Sequence, residues 1–203
     1  MKGAIPLLVC LLAVGCASYS AKPVVVGDVK QYEYHAEQSG VTVVADPYDT
    51  DRKYKSVFNT KPSYQRGYLG VNIIVGNNSD KPLTLDAAGV WAVSATGEVV
   101  RPVPARQVGE QLLRSTTGRY FLGGVIAAGS SKGANDKIRM DFENKELKSA
   151  TIYAGQVTHG FLFFPTQPVT AELVVGGLKL EGQDLEAIKV AFNVAPAATA
   201  RGE

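Results

Sequence analysis

Apolar and polar residues alternate along YLGVNIIVGNNSDKPLTLD (68–86), and this alternation constrains the fold more than any other feature of the chain. A polar turn, NNSD (77–80), interrupts the pattern, which then resumes at Leu83 and Leu85. A period of two is typical of β-strands that bury one face. The stretch therefore predicts a strand–turn–strand unit. Its buried side chains before the turn are Leu69, Val71, Ile73 and Val75, and Tyr68, Gly70 and Asn72 lie between them.

Short stretches of the same kind recur through the rest of the chain. GVWAVSATGEVV (89–100) predicts a hairpin with Thr96 and Gly97 at its tip. VTHGFLFF (157–164) is apolar on both faces, which is typical of a strand at the centre of a sandwich. Short strands separated by turns at this spacing indicate a mainly β chain folded as an antiparallel β-sandwich. Further strands are predicted at 169–175, 178–180 and 188–192.

About three short helices are predicted as excursions from the sandwich. Thr50 can cap a helix over DRKYKSVF (51–58), because its hydroxyl can accept hydrogen bonds from the first-turn amides. PARQVGEQLLR (104–114) begins with proline, which is favoured at the start of a helix. A third helix is predicted over KIRMDFENKEL (137–147), with Asn135 or Asp136 as its N-cap and with Ile138 and Phe142 facing the sheet.

The N-terminus has the layout of a bacterial export signal. Residues 1–15 combine a positively charged start with an apolar run too short to span a membrane as a helix. They end in AVG directly before Cys16, which resembles the lipobox of bacterial lipoproteins, although Ala13 stands where leucine is commoner. This resemblance implies that Cys16 becomes the first mature residue and carries a diacylglycerol. The alternative is an ordinary cleaved signal with a chance cysteine.

Lipidation would set the location and the cysteine chemistry. Ala17 follows Cys16 where an inner-membrane retention signal would have aspartate, so the resemblance implies an outer-membrane anchor on the periplasmic side. Cys10 leaves with the signal peptide, so the mature chain has no free thiol for a disulfide. We expect the membrane to be a partner through the lipid on Cys16, and we expect no cofactor besides that covalent lipid.

Composition along the chain suggests its organisation. Residues 16–40 are predicted to be the lipidated cysteine and a flexible tether with one short strand at Val24–Val26. Residues 41–194 form the β-sandwich domain and 195–203 a disordered tail. The net charge of the whole chain is +2, and no long basic run occurs, which argues against nucleic acid as a partner.

Three stretches resemble a known family. GVTVVADPYDTDRKYKSVF (40–58), GYLGVNIIVGNNSDKPLTLD (67–86) and DFENKELKSATIYAGQVTHGFLFFP (141–165) are similar to a family of uncharacterised bacterial lipoproteins with an immunoglobulin-like domain. The resemblance covers most of residues 40–175. It implies an immunoglobulin-like sandwich and an envelope location. It implies no catalytic residues.

Candidate metal and catalytic residues are sparse. His35 and His159 are 124 residues apart, whereas a zinc site needs clustered ligands, so we predict that His159 is an imidazole on the surface of a strand. Asp46, Asp49 and Asp51 could ligate calcium, or could instead favour the start of a helix. Neither a nucleophile elbow nor a phosphate-binding loop motif occurs. We therefore predict no catalytic residues and no metal site.

The segment RYFLGGVIAAGSSKG (119–133) has two interpretations. Gly123, Gly124, Ala127 and Ala128 place small residues four apart, a spacing that lets helices approach closely in membranes. Either the segment is a core strand or buried helix turn followed by a Gly-Ser loop, or it contacts the membrane or a second molecule. The residues predicted to make that contact are Tyr120, Phe121, Leu122, Val125 and Ile126.

These observations favour a non-enzymatic outer-membrane lipoprotein that binds another envelope protein or supports an envelope assembly. One alternative is a self-associating or membrane-contacting lipoprotein that acts through residues 119–133. Another is a ligand-binding module or an enzyme whose site is assembled from distant loops, which would show a deep pocket with converging polar groups.

Overall fold

A computed structural model describes residues 19–113 and 120–192, except for the side chains of residues 120–132. The predicted signal peptide (1–15), Cys16 and the predicted tail (195–203) lie outside the described residues.

Twelve strands form three antiparallel sheets in the described part of the chain. Each sheet has four strands, and buried side chains from all three sheets meet in one aliphatic core. The predicted mainly β, antiparallel sandwich is confirmed. In spatial order, the first sheet contains β1 (His35–Gln38), β2 (Val41–Pro47), β3 (Tyr68–Asn77) and β8 (Val157–Pro165); the second contains β11 (Gln183–Asp184), β10 (Leu178–Leu180), β4 (Leu83–Leu85) and β7 (Ala150–Ile152); and the third contains β12 (Ile188–Ala191), β9 (Thr170–Val175), β5 (Val90–Ser94) and β6 (Val99–Val100).

Strand β3 shows why the alternation predicts the sandwich. Its alternate side chains from Leu69 to Val75 all lie in the aliphatic core, as do Leu83 and Leu85 of β4. Strand β3 pairs with β2 along one edge and with β8 along the other, so its backbone amides and carbonyls are hydrogen-bonded on both edges. Its side chains point alternately to the two faces of the sheet. The predicted burial of both stretches is confirmed.

The predicted hairpin is also present. Ala92 of β5 pairs with Val100 of β6, and Thr96 and Gly97 lie at the tip. Gly97 has a φ of +85°, which glycine adopts without strain.

Two helices match their predicted positions. Helix α1 spans Asp51–Val57, and the Thr50 hydroxyl accepts a hydrogen bond from the Lys53 amide at 3.4 Å. Helix α2 spans Ala105–Gln111 and follows Pro104. Both helices bury one face against the outer face of the first sheet, which is the face that points away from the aliphatic core.

The third helix is longer than predicted. Helix α3 spans Tyr120–Lys145 without interruption, so the core strand and the Gly-Ser loop, which belong to one of the two interpretations of residues 119–133, are wrong for residues 120–133, and neither Asn135 nor Asp136 caps a helix. Each residue added to an existing helix gains a backbone hydrogen bond, so a helix tends to extend once it has formed. In α3 the C-terminal half is packed against the domain and anchors the helix. The predicted inward positions of Ile138 and Phe142 are confirmed, since both are fully buried.

The described part of the predicted tether is folded. Residues 35–38 form β1, an edge strand paired with β2, and the expected strand at Val24–Val26 is absent from this described segment. Val24 and Val26 nevertheless pack against the domain, whereas Val25 between them is 83% exposed. The described residues of this segment therefore make contacts with the domain through Val24 and Val26.

Candidate functional site

The outer face of the first sheet carries an aromatic layer. Phe161 and Phe163 of β8 point away from the aliphatic core and meet side chains from all three helices. Phe58 lies at the centre, with its ring centroid 4.6 Å from that of Phe142 and 4.9 Å from that of Phe161. Tyr48 meets Phe161 edge-on at 4.8 Å. These spacings are favourable for aromatic pairs, so the layer is a second core.

The N-terminal segment completes this layer. Tyr19 is only 3% exposed and belongs to the aromatic cluster, although it lies three residues after Cys16. Further along, Val26 and Val29 cover Val44 and Ile74 on the remaining outer surface of the sheet. The segment from Tyr19 to β1 therefore covers the sheet from outside.

A buried polar contact holds the start of this segment. The Tyr19 hydroxyl donates to Asp141 Oδ2 at 2.5 Å, and Asp141 also pairs with Lys145 one turn further along α3. The Asp141 and Lys145 side chains are only 5% and 9% exposed, and the Lys145 ammonium lies 5.2 Å from the centroid of the Phe58 ring. We name Tyr19, Asp141 and Lys145 the N-terminal clamp. The ion pair lies within α3, and the hydrogen bond from Tyr19 to its buried carboxylate ties the first described residue to α3.

The clamp keeps the tyrosine protonated. Burial raises the pKa of the Tyr19 hydroxyl, and its hydrogen bond to the Asp141 carboxylate raises that pKa further. A neutral hydroxyl next to a carboxylate is a hydrogen-bond donor, not a proton-transfer group at neutral pH. The arrangement is therefore suited to attachment.

A hollow of about 450 Å³ lies beside the clamp and contains the predicted strand-surface histidine. Lys22, Asp141, Lys145 and His159 line it. Partial burial lowers the pKa of His159. The prediction that His159 sits at the surface of a strand is confirmed, because it is an exposed residue of β8.

A larger cavity of about 790 Å³ opens between the ends of α1 and α2. Its apolar wall includes Pro62, Leu112 and Leu113. Polar side chains surround the rest of the opening, and the charged ones are Lys22, Asp51, Lys55, Lys61 and Arg66. Among the described residues that line this cavity, four cations against one carboxylate leave a charge of +3, in a chain whose total formal charge is +2. We name it the cationic cavity.

The single carboxylate of the cationic cavity is already engaged. Asp51 accepts hydrogen bonds from Lys55, at 2.6 Å, and from the Tyr64 hydroxyl. These two hydrogen bonds lower the pKa of Asp51, with Lys55 as the larger cause. Lys22 donates to the backbone carbonyl of Lys55, a neutral acceptor that leaves its charge uncompensated.

Two cations of the cavity have no anionic partner in the described structure. Lys61 and Arg66 are exposed, and no carboxylate of the described residues lies within 4 Å of either charged group. Their donors are therefore free of described ion pairs.

The acidic cluster considered for calcium is not assembled. Asp46 pairs with Lys53 at 2.5 Å and Asp51 pairs with Lys55, so two of the three carboxylates are each engaged by a lysine. Burial raises the pKa of Asp46, while Lys53 opposes that shift. Among the described residues no group of three or more His, Cys, Asp or Glu side chains could hold a metal ion.

The other predicted site residues lie mostly outside the described structure. Cys16 is not described. Residues 120–126 belong to the backbone of α3, while the side chains of Tyr120, Phe121, Leu122, Val125 and Ile126 are outside the described part. In the described residues no helix is both long and apolar enough to cross a bilayer.

Sequence reasoning missed the cationic cavity. A local signal was present, because residues 51–66 contain five basic residues and one acidic residue. In this stretch the charged residues alternate with aromatic residues, a pattern that is also typical of the solvent-exposed face of a helix. Lys22 could not have been assigned to the same site, since it reaches the cavity through the folding of the N-terminal segment.

Comparisons with known proteins provide little further information. The sequence matches no protein-family model and no curated protein. The solved structure of the yjhA protein from Bacillus subtilis is 11% identical, with a TM-score of 0.36, over 71% of this chain and 78% of that one. A "putative lipoprotein (ycdA)" from the same species is 15% identical, with a TM-score of 0.40, over 77% of this chain and 38% of that one. At these scores neither likeness carries a function to this chain.

Proposed function

We propose that this protein is a non-enzymatic lipoprotein of the bacterial outer membrane, anchored through a lipid on Cys16, whose sandwich domain is held close to the membrane and acts by binding. The export signal and the lipobox-like AVGC support the anchor. The single structural observation that supports the close attachment is the N-terminal clamp, which buries Tyr19 three residues after Cys16.

Chain geometry limits the distance between anchor and domain. An extended chain covers about 3.3–3.6 Å per residue, so the Cα atoms of Cys16 and Tyr19 are at most about 11 Å apart. A flexible tether ending at residue 40 would instead allow a reach of roughly 27 Å, the root-mean-square length of a 24-residue coil. The folded segment thus favours a domain that sits at the membrane surface with a restricted orientation.

Binding is a better proposal than catalysis because of the kind of polar groups present. The clamp is a satisfied hydrogen-bond network, and the cationic cavity offers fixed positive charges and amide side chains without an adjacent nucleophile–base pair in the described residues. Such groups attract and orient an anionic partner.

The anchor is tested by metabolic labelling of cells with an alkyne fatty acid, followed by membrane fractionation. We expect the wild-type protein to take up the label and to float with outer membranes, and the Cys16→Ser variant to lose both properties. Cys10→Ser is the matched control, since it removes the other cysteine of the chain and should retain label and location. An unlabelled wild-type protein in the soluble fraction would contradict the proposal.

A further inference from the structure

The cationic cavity shares a lining residue with the hollow beside the N-terminal clamp. Lys22 lines both this cavity and the hollow beside the N-terminal clamp, and it lies three residues after Tyr19. Lys22 lies six residues after Cys16, so their Cα atoms are at most about 22 Å apart. A membrane that holds the lipid on Cys16 is therefore within reach of the cavity.

The cavity has the charge and size of an anion site. Its volume of about 790 Å³ lies within the range of about 300–1,000 Å³ that is usual for small-molecule sites. Arginine offers a planar fork of donors that matches phosphate oxygens, and lysine adds a point charge. Arg66 and Lys61 supply both kinds of group without a described carboxylate to neutralise them.

The apolar residues of the cationic cavity favour an anion that also carries apolar groups. Pro62, Leu112 and Leu113 are among the residues that line the cavity. An inorganic phosphate would leave these side chains in water, whereas the glycerol and first methylene groups of a phospholipid would cover them. Neutral polar side chains such as Asn59, Gln65 and Gln111 could hydrogen-bond the hydroxyls of a headgroup.

We propose that the cationic cavity binds the phosphodiester headgroup of an anionic phospholipid in the membrane to which Cys16 is anchored. The choice of a membrane lipid as the source of the phosphate rests on the anchoring proposed above. The headgroup would be held between Lys61 and Arg66, with Lys22 adding positive charge from the N-terminal segment. Together with the lipid on Cys16, this second contact would fix the orientation of the domain on the membrane.

The test uses the full chain carrying Cys16→Ser, which removes the lipid attachment point. Its binding to dihexanoyl phosphatidylglycerol below the critical micelle concentration is measured by titration calorimetry. Dihexanoyl phosphatidylcholine and inorganic phosphate are titrated in parallel. We expect measurable binding of phosphatidylglycerol, with affinity at least about tenfold above that for either of the other two compounds, because only the first combines net negative charge with apolar groups.

Variants locate the site. K61Q/R66Q should weaken phosphatidylglycerol binding about tenfold or more, since two charge-assisted contacts are lost. K148Q/K189Q removes the same charge from exposed lysines that do not line the cavity, and it should change the affinity less than twofold. Thermal melts should show that both variants fold, because all four side chains are exposed.

Three results would overturn the inference: no binding of phosphatidylglycerol, equal weakening by both double variants, or binding of inorganic phosphate as tight as that of the lipid. The last result would assign the cavity to a soluble phosphate compound. Because the chain in this test lacks Cys16, failure here leaves the fatty-acid labelling result untouched, and failure of that labelling leaves the calorimetry interpretable.

Discussion

The two faces of the first sheet differ in how they are built. The inner face of β2, β3 and β8 meets the other sheets through side chains that are mostly valine, isoleucine and leucine. The outer face meets three helices and the N-terminal segment through rings, among them Tyr19, Phe58 and Phe142. A single strand, β8, supplies both layers, with Leu162 on the inner face and Phe161 on the outer face.

The two faces also differ in role: the inner face stabilises the fold, whereas the outer face carries the candidate functional site. The inner core consists mainly of buried apolar side chains from the three sheets, and its role is to stabilise the fold. The outer layer is assembled from segments distant in sequence, and it contains buried charge in the clamp and the cationic cavity at its edge. The features that we connect with function all belong to the outer layer, which suggests that the sandwich supports it.

The largest effect is expected from emptying the centre of the aromatic layer. Phe58→Ala removes a ring that stacks near four others and lies under Lys145, and it should lower the free energy of unfolding by about 3–5 kcal/mol. Ile73→Val on the inner face should cost only about 1 kcal/mol. Urea denaturation measures both. If Phe58→Ala cost no more than Ile73→Val, the outer layer would not be a second core.

Alanine substitutions at two glycines of the first sheet allow its inner and outer faces to be compared directly. A Cβ at Gly160 would lie 2.4 Å from the Cα of Leu147, a backbone atom, whereas a Cβ at Gly70 would lie 3.0 Å from the Phe163 ring edge. A ring can shift more easily than backbone, so Gly160→Ala should cost about 3 kcal/mol or more and Gly70→Ala about 1 kcal/mol.

Thermal melts of the two glycine variants are compared with those of Gly133→Ala. At Gly133, an exposed helical position, a Cβ would meet no heavy atom within 4 Å, so this control should be neutral or slightly stabilising. The reverse order of Gly160→Ala and Gly70→Ala would contradict the described packing of the α3–β7 connection on β8.

A smaller effect is expected at the clamp. Tyr19→Phe keeps the ring in the aromatic layer and removes the hydroxyl that donates to Asp141. Since a hydrogen bond to a charged group contributes about 1.5–3 kcal/mol and Lys145 still pairs with Asp141, we expect a loss near the lower limit. Ser20→Ala, next in sequence and exposed, is the control and should be neutral. Equal stabilities for Tyr19→Phe and wild type would show that the hydroxyl does not hold the segment.

The smallest effect concerns pH. Burial lowers the pKa of His159 below its usual value of about 6.5, so the unfolded chain binds this proton more tightly than the folded chain does. The stability linked to His159 is therefore complete above about pH 6.5 and is lost as the pH falls from there toward the lower folded-state pKa. Between pH 7.5 and 5.5 the Tm of wild type should fall more than that of His159→Gln, and identical pH dependence would contradict this assignment.

The two faces also explain how far the fold was predictable from sequence. The inner face obeys a local rule, since alternate residues of one strand point the same way, and Leu69 to Val75 could be assigned without knowing their neighbours. The inward faces of the helices were predictable for the same reason, as Ile138 and Phe142 show. These contacts follow from a period within one segment.

The outer layer depends on contacts that no local period reveals. Tyr19 is separated from Asp141 by 122 residues, and nothing in the sequence near Tyr19 indicates a buried tyrosine. The polar composition of residues 17–40 predicts a flexible chain, whereas the valines that pack on the sheet need the finished surface to bind to. The cationic cavity is only partly visible in the local sequence for the same reason, because Lys22 comes from a segment distant from Lys55, Lys61 and Arg66.

The central claim is that the segment after Cys16 is part of the folded domain. Spin labels at Ser20 and Thr96, in a Cys10→Ser/Cys16→Ser background, allow this to be tested by double electron–electron resonance. Ser20 follows the clamp and Thr96 lies at the tip of the β5–β6 hairpin, and both are exposed. Labels at Thr96 and Thr151, both in the sandwich, give the reference width for a rigid pair.

We predict that the Ser20–Thr96 distance distribution has a single peak as narrow as that of the reference pair, and that Tyr19→Phe broadens it. A broad distribution in the wild-type clamp would mean that the segment is a flexible tether, and the account of a domain held against the membrane would be wrong.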